Sequence, residues 1–148
     1  MATLQSSACL TNNSGFFLNP PKYNEKNVVG RSVLYTFVAA QSAGDVIQMI
    51  PVPKGAVVLD LAVQWALGAG AAITQGSIGD GNSATRYYGS LSASAGNTIV
   101  HMTNGLGYSY SAEDTIDIVV GTATSASAAG TVRMTVLYAF DQAADGNS

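Results

Sequence analysis

The stretch VVLDLAVQWAL, residues 57–67, alternates large apolar side chains with smaller or polar ones. A period of two is typical of a β-strand with one face against a core, because successive side chains point to opposite sides. A helix would instead scatter Asp60 and Gln64 around its surface. The alternation predicts one core-facing set: Val57, Leu59, Leu61, Val63, Trp65 and Leu67.

Strand patterns continue on both sides of this stretch, separated by glycine-rich turn signals. We expect the segment GAGAAITQGSIGDGN, residues 68–82, to supply a short strand between glycine breaks, and a Gly-Asn turn to separate the two strands after it. The other strands are predicted in residues 31–40, 45–56, 85–94, 97–103, 114–123 and 130–141. No helical period occurs, so the sequence predicts an all-β fold, an antiparallel β-sandwich. The number of strands, about eight, favours a jelly roll.

The first 30 residues differ from the rest, because they are rich in Asn and Pro and follow no regular period. We therefore predict an extended N-terminal arm over residues 1–30, a β-sandwich domain over 31–141 and a flexible C-terminal tail over 142–148. The arm is too aromatic for a free disordered tail, so it is expected to dock on this subunit or on a neighbour. Its expected interface residues are Phe16, Phe17, Pro20, Pro21 and Tyr23.

Charge is scarce along the chain. Charged residues make up 10% of the 148, with a net charge of −3, against about 25% charged residues in an ordinary soluble domain. No cluster of Lys and Arg exists to follow a phosphate backbone, and no apolar run reaches the length of a membrane span. We expect neither a nucleic-acid nor a membrane partner. A charge-poor surface suits a subunit that is always assembled.

Catalytic and metal-binding motifs are weak. With one histidine, His101, and one cysteine, Cys9, the usual zinc ligand sets are not available. His101 lies within a predicted strand, no acidic motif accompanies it, and no G-x-S-x-G elbow occurs. We expect no enzyme activity, no cofactor and no metal; a small hydrolase is the least favoured alternative.

Two further features admit a binding function. In SIGDGNSATRYYG, residues 77–89, Asp80 and Asn82 match the first two ligand positions of a calcium loop, but the later positions do not follow the pattern. A tight turn is favoured, with glycines at positive φ and Asp80 capping the turn backbone. Tyr108 and Tyr110 share one predicted strand face and either pack on the sheet or form a sugar-binding platform.

Together, three segments resemble small virion structural proteins of tailed bacteriophages. They are GDVIQMIPVPKGAVVLDLAVQWALG (44–68), ITQGSIGDGNSATRYYG (73–89) and the closing pair EDTIDIVVGTA and AAGTVRMTVLYAFD (113–123 and 128–141). From first to last they span residues 44–141, about two thirds of the chain. It implies a head decoration or cement protein on the capsid surface that binds the major capsid protein and commonly forms a homotrimer. It implies no catalytic residue and does not extend to residues 1–43. The alternative is a phage fibre or head-surface domain that binds host glycans through tyrosines.

Overall fold

The computed structural model describes residues 3–5, 28–37, 41–123 and 130–140. These residues contain strands and loops but no helix, and therefore no helix long and apolar enough to cross a membrane. The all-β prediction is confirmed. The strands are β1 (Thr3–Gln5), β2 (Val29–Phe37), β3 (Val46–Val52), β4 (Ala56–Asp80), β5 (Ser83–His101), β6 (Asp114–Val119), β7 (Thr122–Ala123) and β8 (Gly130–Phe140).

The long hairpin formed by β4 and β5 runs through both layers of a sandwich. The first half of β4 pairs with β8 and with the last residues of β5, whereas the second half pairs with β6 and with the first residues of β5. The first sheet therefore has the order β2-β8-β4-β5, and the second has the order β3-β6-β4-β5. Each sheet has four strands when the halves of β4 and β5 are counted separately. β7 pairs with β4, and β1 adds a short parallel pairing to β3.

This strand order is that of a jelly roll. If the halves of β4 and β5 are numbered as separate strands in chain order, the eight long strands have the order 1-8-3-6 in the first sheet and 2-7-4-5 in the second. The last strand therefore lies between the first and the third. The antiparallel sandwich and the jelly roll are thus both confirmed. The predicted arm residues 6–27 and the tail 142–148 lie outside the described residues.

Glycine-rich segments bend the hairpin without ending its strands, which corrects the predicted breaks. β4 continues through residues 68–71, where its register with β5 shifts between Leu67 and Ala72. β5 likewise continues through the expected Gly-Asn turn, with Gly96 at a φ of 114°. Glycine permits such a bend because it has no Cβ to clash with the neighbouring backbone. The hairpin can therefore pass from one sheet to the other while staying paired.

A β-bulge changes the predicted core face of β4. The register with β8 shifts between Val58 and Asp60, so the alternation reverses at that point. Val58 is fully buried, whereas Leu59 is 43% exposed. The prediction that Val57 and Leu59 face the core is therefore wrong, while the burial predicted from Leu61 to Leu67 is confirmed.

The core lies between the sheets and follows the alternation of the other strands as well. In β8, Val132, Met134, Val136 and Tyr138 are buried as predicted, and Phe140 packs against them partly buried. In and beyond β6, the inward set is buried as predicted: Ile116, Ile118 and Val120. Asp117, predicted on the polar side of the same strand, is also buried.

Candidate assembly surface

The outward side of the first sheet, formed by β2, β8, β4 and β5, is a continuous exposed face that we call the outer face. Strand register arranges its side chains in rows, because paired residues lie side by side on the same surface of a sheet. The rows are Gly30, Leu137 and Asp60; then Ser32, Thr135, Ala62 and His101; then Leu34, Arg133, Gln64 and Ile99. Within the second row, the hydroxyls of Ser32 and Thr135 are 3.0 Å apart.

Exposed apolar side chains concentrate on the outer face. Leu34, Ile99 and Leu137 lie within its rows, and Ile99 is 60% exposed. Leu59 lies at the bulge beside Asp60, and Val28 precedes β2 in the same exposed alternation. Of the six exposed large hydrophobic side chains among the described residues, only Leu106 belongs to a loop elsewhere. Apolar side chains gathered on one face, rather than scattered, mark an interaction surface.

Three ionisable groups accompany these apolar side chains. Asp60 Oδ1 lies 3.9 Å from His101 Nδ1; the His101 side chain is largely exposed and that of Asp60 about half exposed. The pairing of Ala62 with His101 brings the two groups together, which no sequence motif indicated. Arg133 lies on β8, two rows from Asp60. A shallow groove of about 300 Å³ crosses the face and is lined by Asp60, Ala62, Gln64, Ile99, His101, Arg133, Thr135 and Leu137.

At the end of the sandwich, Asp80 organises a second cluster, the end network, which also contains Arg86, Tyr87, Tyr108 and Tyr110. One carboxylate oxygen of Asp80 accepts the amides of Asn82 at 3.1 Å and Ser83 at 2.8 Å. The same carboxylate forms a two-point ion pair with Arg86 and accepts the hydroxyl of Tyr110 at 3.1 Å. The predicted role of Asp80 as a turn cap is confirmed. With both oxygens held by these donors, the geometry is that of an ion pair with a buried carboxylate rather than a calcium ligand.

The tyrosines of the end network pack against one another. The hydroxyls of Tyr87 and Tyr110 are 2.8 Å apart, and both side chains are buried. The guanidinium carbon of Arg86 lies 3.5 Å from the ring centre of Tyr108, which contacts Tyr110 edge to face at 5.0 Å. A sugar platform needs an open ring face, and Arg86 covers one face of Tyr108. This geometry favours the packing role over the glycan-binding role.

Gly79 and Gly81 of the GDG turn lie where there is no room for a side chain, and neither needs the backbone freedom of glycine. Neither Gly79 nor Gly81 has a positive φ, so that part of the prediction is wrong. A Cβ on Gly79 would instead lie 2.0 Å from the carbonyl oxygen of Ser83, and one on Gly81 would lie 2.9 Å from Asp114 Oδ1. At Gly79 the two backbones of the hairpin approach too closely for any side chain, whereas at Gly81 the Asp114 carboxylate occupies the space.

Two of the buried carboxylates, those of Asp80 and Asp117, have pKa values shifted in opposite directions. Burial acts to raise the pKa of Asp80, but hydrogen bonds from Arg86, Ser83 and Tyr110 and the charge of Arg86 outweigh it, so the pKa is lowered. At Asp117, burial raises the pKa to about 7, against a weaker opposing hydrogen bond from Thr115. Asp117 Oδ1 has no hydrogen-bond partner within the described part of the chain. Asp80 is thus a stable anion, and Asp117 a carboxyl group that favours its neutral form.

The interface residues expected from the sequence, Phe16, Phe17, Pro20, Pro21 and Tyr23, lie outside the described residues, as does Cys9. Within the described ranges, no group of three or more His, Cys, Asp or Glu side chains is placed to hold a metal ion. The outer face was not among the sequence predictions. Its signal was present in the outward alternation of β8, where Leu137 interrupts a polar series.

Similarity to known proteins appears at the level of structure. No protein-family model and no curated protein matches the sequence. A chain from the structure described as the capsid of Ralstonia phage GP4 superposes with a TM-score of 0.75 at 16% identity, over 95% of this chain and 99% of that one. A chain of the cyanophage Pam1 capsid asymmetric unit superposes with a TM-score of 0.64 at 23% identity, over 83% and 92%. This protein shares the fold of those two capsid chains.

Proposed function

We propose that the protein is a structural subunit of a bacteriophage virion, and specifically a capsid decoration or cement protein. In this role it binds the major capsid protein across capsomer boundaries at the capsid surface and stabilises the head without catalysing a reaction. The observation that carries the proposal is the jelly roll shared with two phage capsid chains along nearly their whole lengths. Sequence motifs in residues 44–141 support the same family independently of the structural likeness.

The surface of the molecule is consistent with this role. A subunit held permanently in an assembly tolerates low charge and exposed apolar side chains, both of which would reduce the solubility of a free monomer. The outer face has both properties, since Ile99, Leu34 and Leu137 surround only three ionisable groups. In addition, the ion pair between Asp80 and Arg86 links the β4–β5 turn to β5 at one end of the sandwich.

Reconstitution on phage heads tests the proposal. Heads purified without this protein are mixed with increasing amounts of the purified chain, and its occupancy is measured by quantitative gel analysis and by image reconstruction. We expect saturable binding at a fixed copy number, together with an increase in the temperature at which heads release their DNA. Binding to tails or fibres instead of heads would contradict the decoration role.

The N-terminal arm is part of the proposal. Aromatic residues anchor interfaces disproportionately, and the arm contains Phe16, Phe17 and Tyr23. A truncated protein lacking residues 1–28 should keep a cooperative thermal unfolding transition but occupy heads much less. A protein lacking only residues 142–148 is the control and should bind normally. Unchanged occupancy after removal of the arm would refute the anchoring role.

The homotrimeric state implied by the phage resemblance also belongs to the proposal. Sedimentation equilibrium on the purified chain gives the mass of the smallest stable unit directly. A unit of three chains is expected, whereas a monomer that becomes trimeric only on heads would assign trimerisation to the capsid lattice.

A further inference from the structure

Two opposite charges occupy the outer face in positions that suit pairing with a second copy of the same surface. Asp60 and Arg133 lie on the neighbouring strands β4 and β8, with Asp60 beside Leu137 in one row and Arg133 beside Gln64 two rows away. From the strand spacing of about 4.8 Å and the rise of about 3.3 Å per residue, the two positions are roughly 14 Å apart. They are therefore too distant to pair within one copy.

We propose that the outer face is a two-fold contact between two copies of this chain. This inference rests on the proposed use of the face in assembly and names its partner. In a two-fold contact the same patch meets itself, so residue i of one copy faces residue j of the other, and the reverse. An axis lying in the plane of the face, through the point between Thr135 and Ala62 and perpendicular to the line that joins Asp60 to Arg133, brings Arg133 opposite Asp60 of the partner copy, twice.

The same operation matches the apolar side chains. This axis brings the first row of one copy towards the third row of the other, displaced by about one strand. Leu137 of one copy therefore falls near Leu34 of the other, and this contact also occurs twice. Leu59, next to Asp60 at the bulge, falls near the Leu34–Arg133 end of the partner. Charge complementarity and apolar contact are thus satisfied by one symmetry operation, whereas a partner of unrelated shape would need both by coincidence.

The area of the face sets the strength of the contact. Four strands spaced by about 4.8 Å and eight residues rising about 3.3 Å each give roughly 500 Å² per copy. Stable interfaces bury about 800 Å² per partner. The contact is therefore reversible in solution, with dissociation at micromolar or higher concentration, and it is strengthened where other contacts hold the copies together. A three-fold trimer joins two different surfaces of each chain, whereas a two-fold contact pairs one surface with itself. A two-fold contact through the outer face would therefore join two such units.

Sedimentation velocity over about 5 to 500 µM protein tests the proposal on the full chain. We expect the mass of the unit present at low concentration to double as concentration rises. Leu137→Glu buries a charge in the contact and should raise the dissociation constant at least about tenfold. Leu106→Glu, which changes an exposed leucine outside the face, is the matched control and should leave association unchanged. All these positions are exposed, and thermal unfolding verifies that each variant is folded.

Charge reversal provides the decisive measurement. Arg133→Glu alone and Asp60→Arg alone each place like charges opposite one another and should weaken association about three- to tenfold. The double variant restores opposite charges and should associate within about twofold of the natural protein. A double variant no stronger than the singles, or a dimer indifferent to Leu137→Glu, overturns the proposal.

Head attachment of the same variants separates this inference from the proposed function. If the natural chain shows no mass doubling at any concentration while Leu137→Glu abolishes head attachment, the two-fold contact is refuted and the face belongs to another capsid protein. The decoration role then still stands. The opposite result is also distinguishable. If neither the natural chain nor any variant binds heads, but the mass still doubles and responds to the charge swap as expected, the decoration role fails and the two-fold contact stands.

Discussion

Replacing Asp117 by asparagine should stabilise the protein at neutral pH and remove most of the dependence of its stability on pH between about 4 and 8. Asp117 is 6% exposed, on β6 between Gln48 of β3 and Gly79 of β4. Its Oδ1 is buried without a hydrogen-bond partner among the described residues. The pKa of the carboxyl is raised to about 7; burial is the largest cause, and the charges of Asp114 and Asp80 contribute to the rise.

The sign of the effect follows from proton linkage. In the folded state Asp117 keeps its proton up to a pH of about 7, whereas in the unfolded chain it loses the proton near its ordinary pKa of about 3.9. Between these values the folded state binds more protons, so the free energy of unfolding falls as pH rises. The contribution is fully present below about pH 4 and is lost as pH rises through about 7.

The magnitude follows from the size of the shift. A difference of about 3 pKa units corresponds to about 4 kcal/mol at about 1.36 kcal/mol per unit. Local relaxation and water access reduce this ceiling, so we expect about 2 kcal/mol of stability to be lost from pH 4.5 to pH 8. Asparagine has nearly the same shape and carries no charge, and the cost of its extra donors is about 1 kcal/mol. A net gain of about 1 kcal/mol at pH 8 is expected.

Urea unfolding followed by tryptophan fluorescence measures the effect, because the chain has a single, buried Trp65. The natural protein should become less stable from pH 4.5 to pH 8, and Asp117→Asn should show a nearly flat profile. Asp60→Asn, at an exposed carboxylate of the outer face, is the control and should keep the slope of the natural protein. The reasoning is refuted if stability of the natural protein increases with pH over this range, or if Asp117→Asn keeps the full slope.

Two further predictions concern the end network and its turn. Asp80→Asn leaves the partly buried Arg86 without its charged partner and should cost about 1.5 to 3 kcal/mol of the free energy of unfolding. Below about pH 4 this cost should shrink, because the pKa of Asp80 is lowered and its stabilising contribution disappears as the carboxylate takes up its proton. An equal cost at pH 3 and pH 7 in urea unfolding would contradict this account. Gly79→Ala should prevent correct closure of the β4–β5 hairpin and yield aggregated protein or a loss above about 3 kcal/mol, since its Cβ would meet the Ser83 carbonyl at 2.0 Å. The control is Gly89→Ala, because a Cβ there would approach nothing closer than 3.9 Å. It should change the free energy of unfolding by less than about 1 kcal/mol. Equal losses in the two variants would exclude the steric explanation.

Local alternation was sufficient to predict much of the fold. Residues 61–67 and 132–138 present their large apolar side chains every second position, and a strand buried on one face is the structure that satisfies that period. The same reasoning found β6 and the absence of helical periods in residues 31–141. Asp80 was recognisable as a turn cap, because an aspartate between glycines satisfies nearby amides whatever the rest of the chain does.

Features that depend on which strands pair with one another were decided by the tertiary structure. The bulge at Val58 and Asp60 exists because β8 pairs with β4 on both sides of it, and it moves Leu59 outward against the sequence period. The sequence pattern predicts strand breaks at the glycine-rich segments, but β4 and β5 continue through them and are paired on both sides.

The chemistry of the site was likewise set by residues distant in sequence. Asp60 meets His101, and Asp80 meets Tyr110, only because separate segments are brought side by side. The raised pKa of Asp117 arises from its burial between two neighbouring strands. The sequence by itself determined which segments are strands and which of their faces are mostly apolar, because those properties are local. Tertiary structure decided the bulge, the buried charges and the outer face, because each is a relation between strands that no single segment contains.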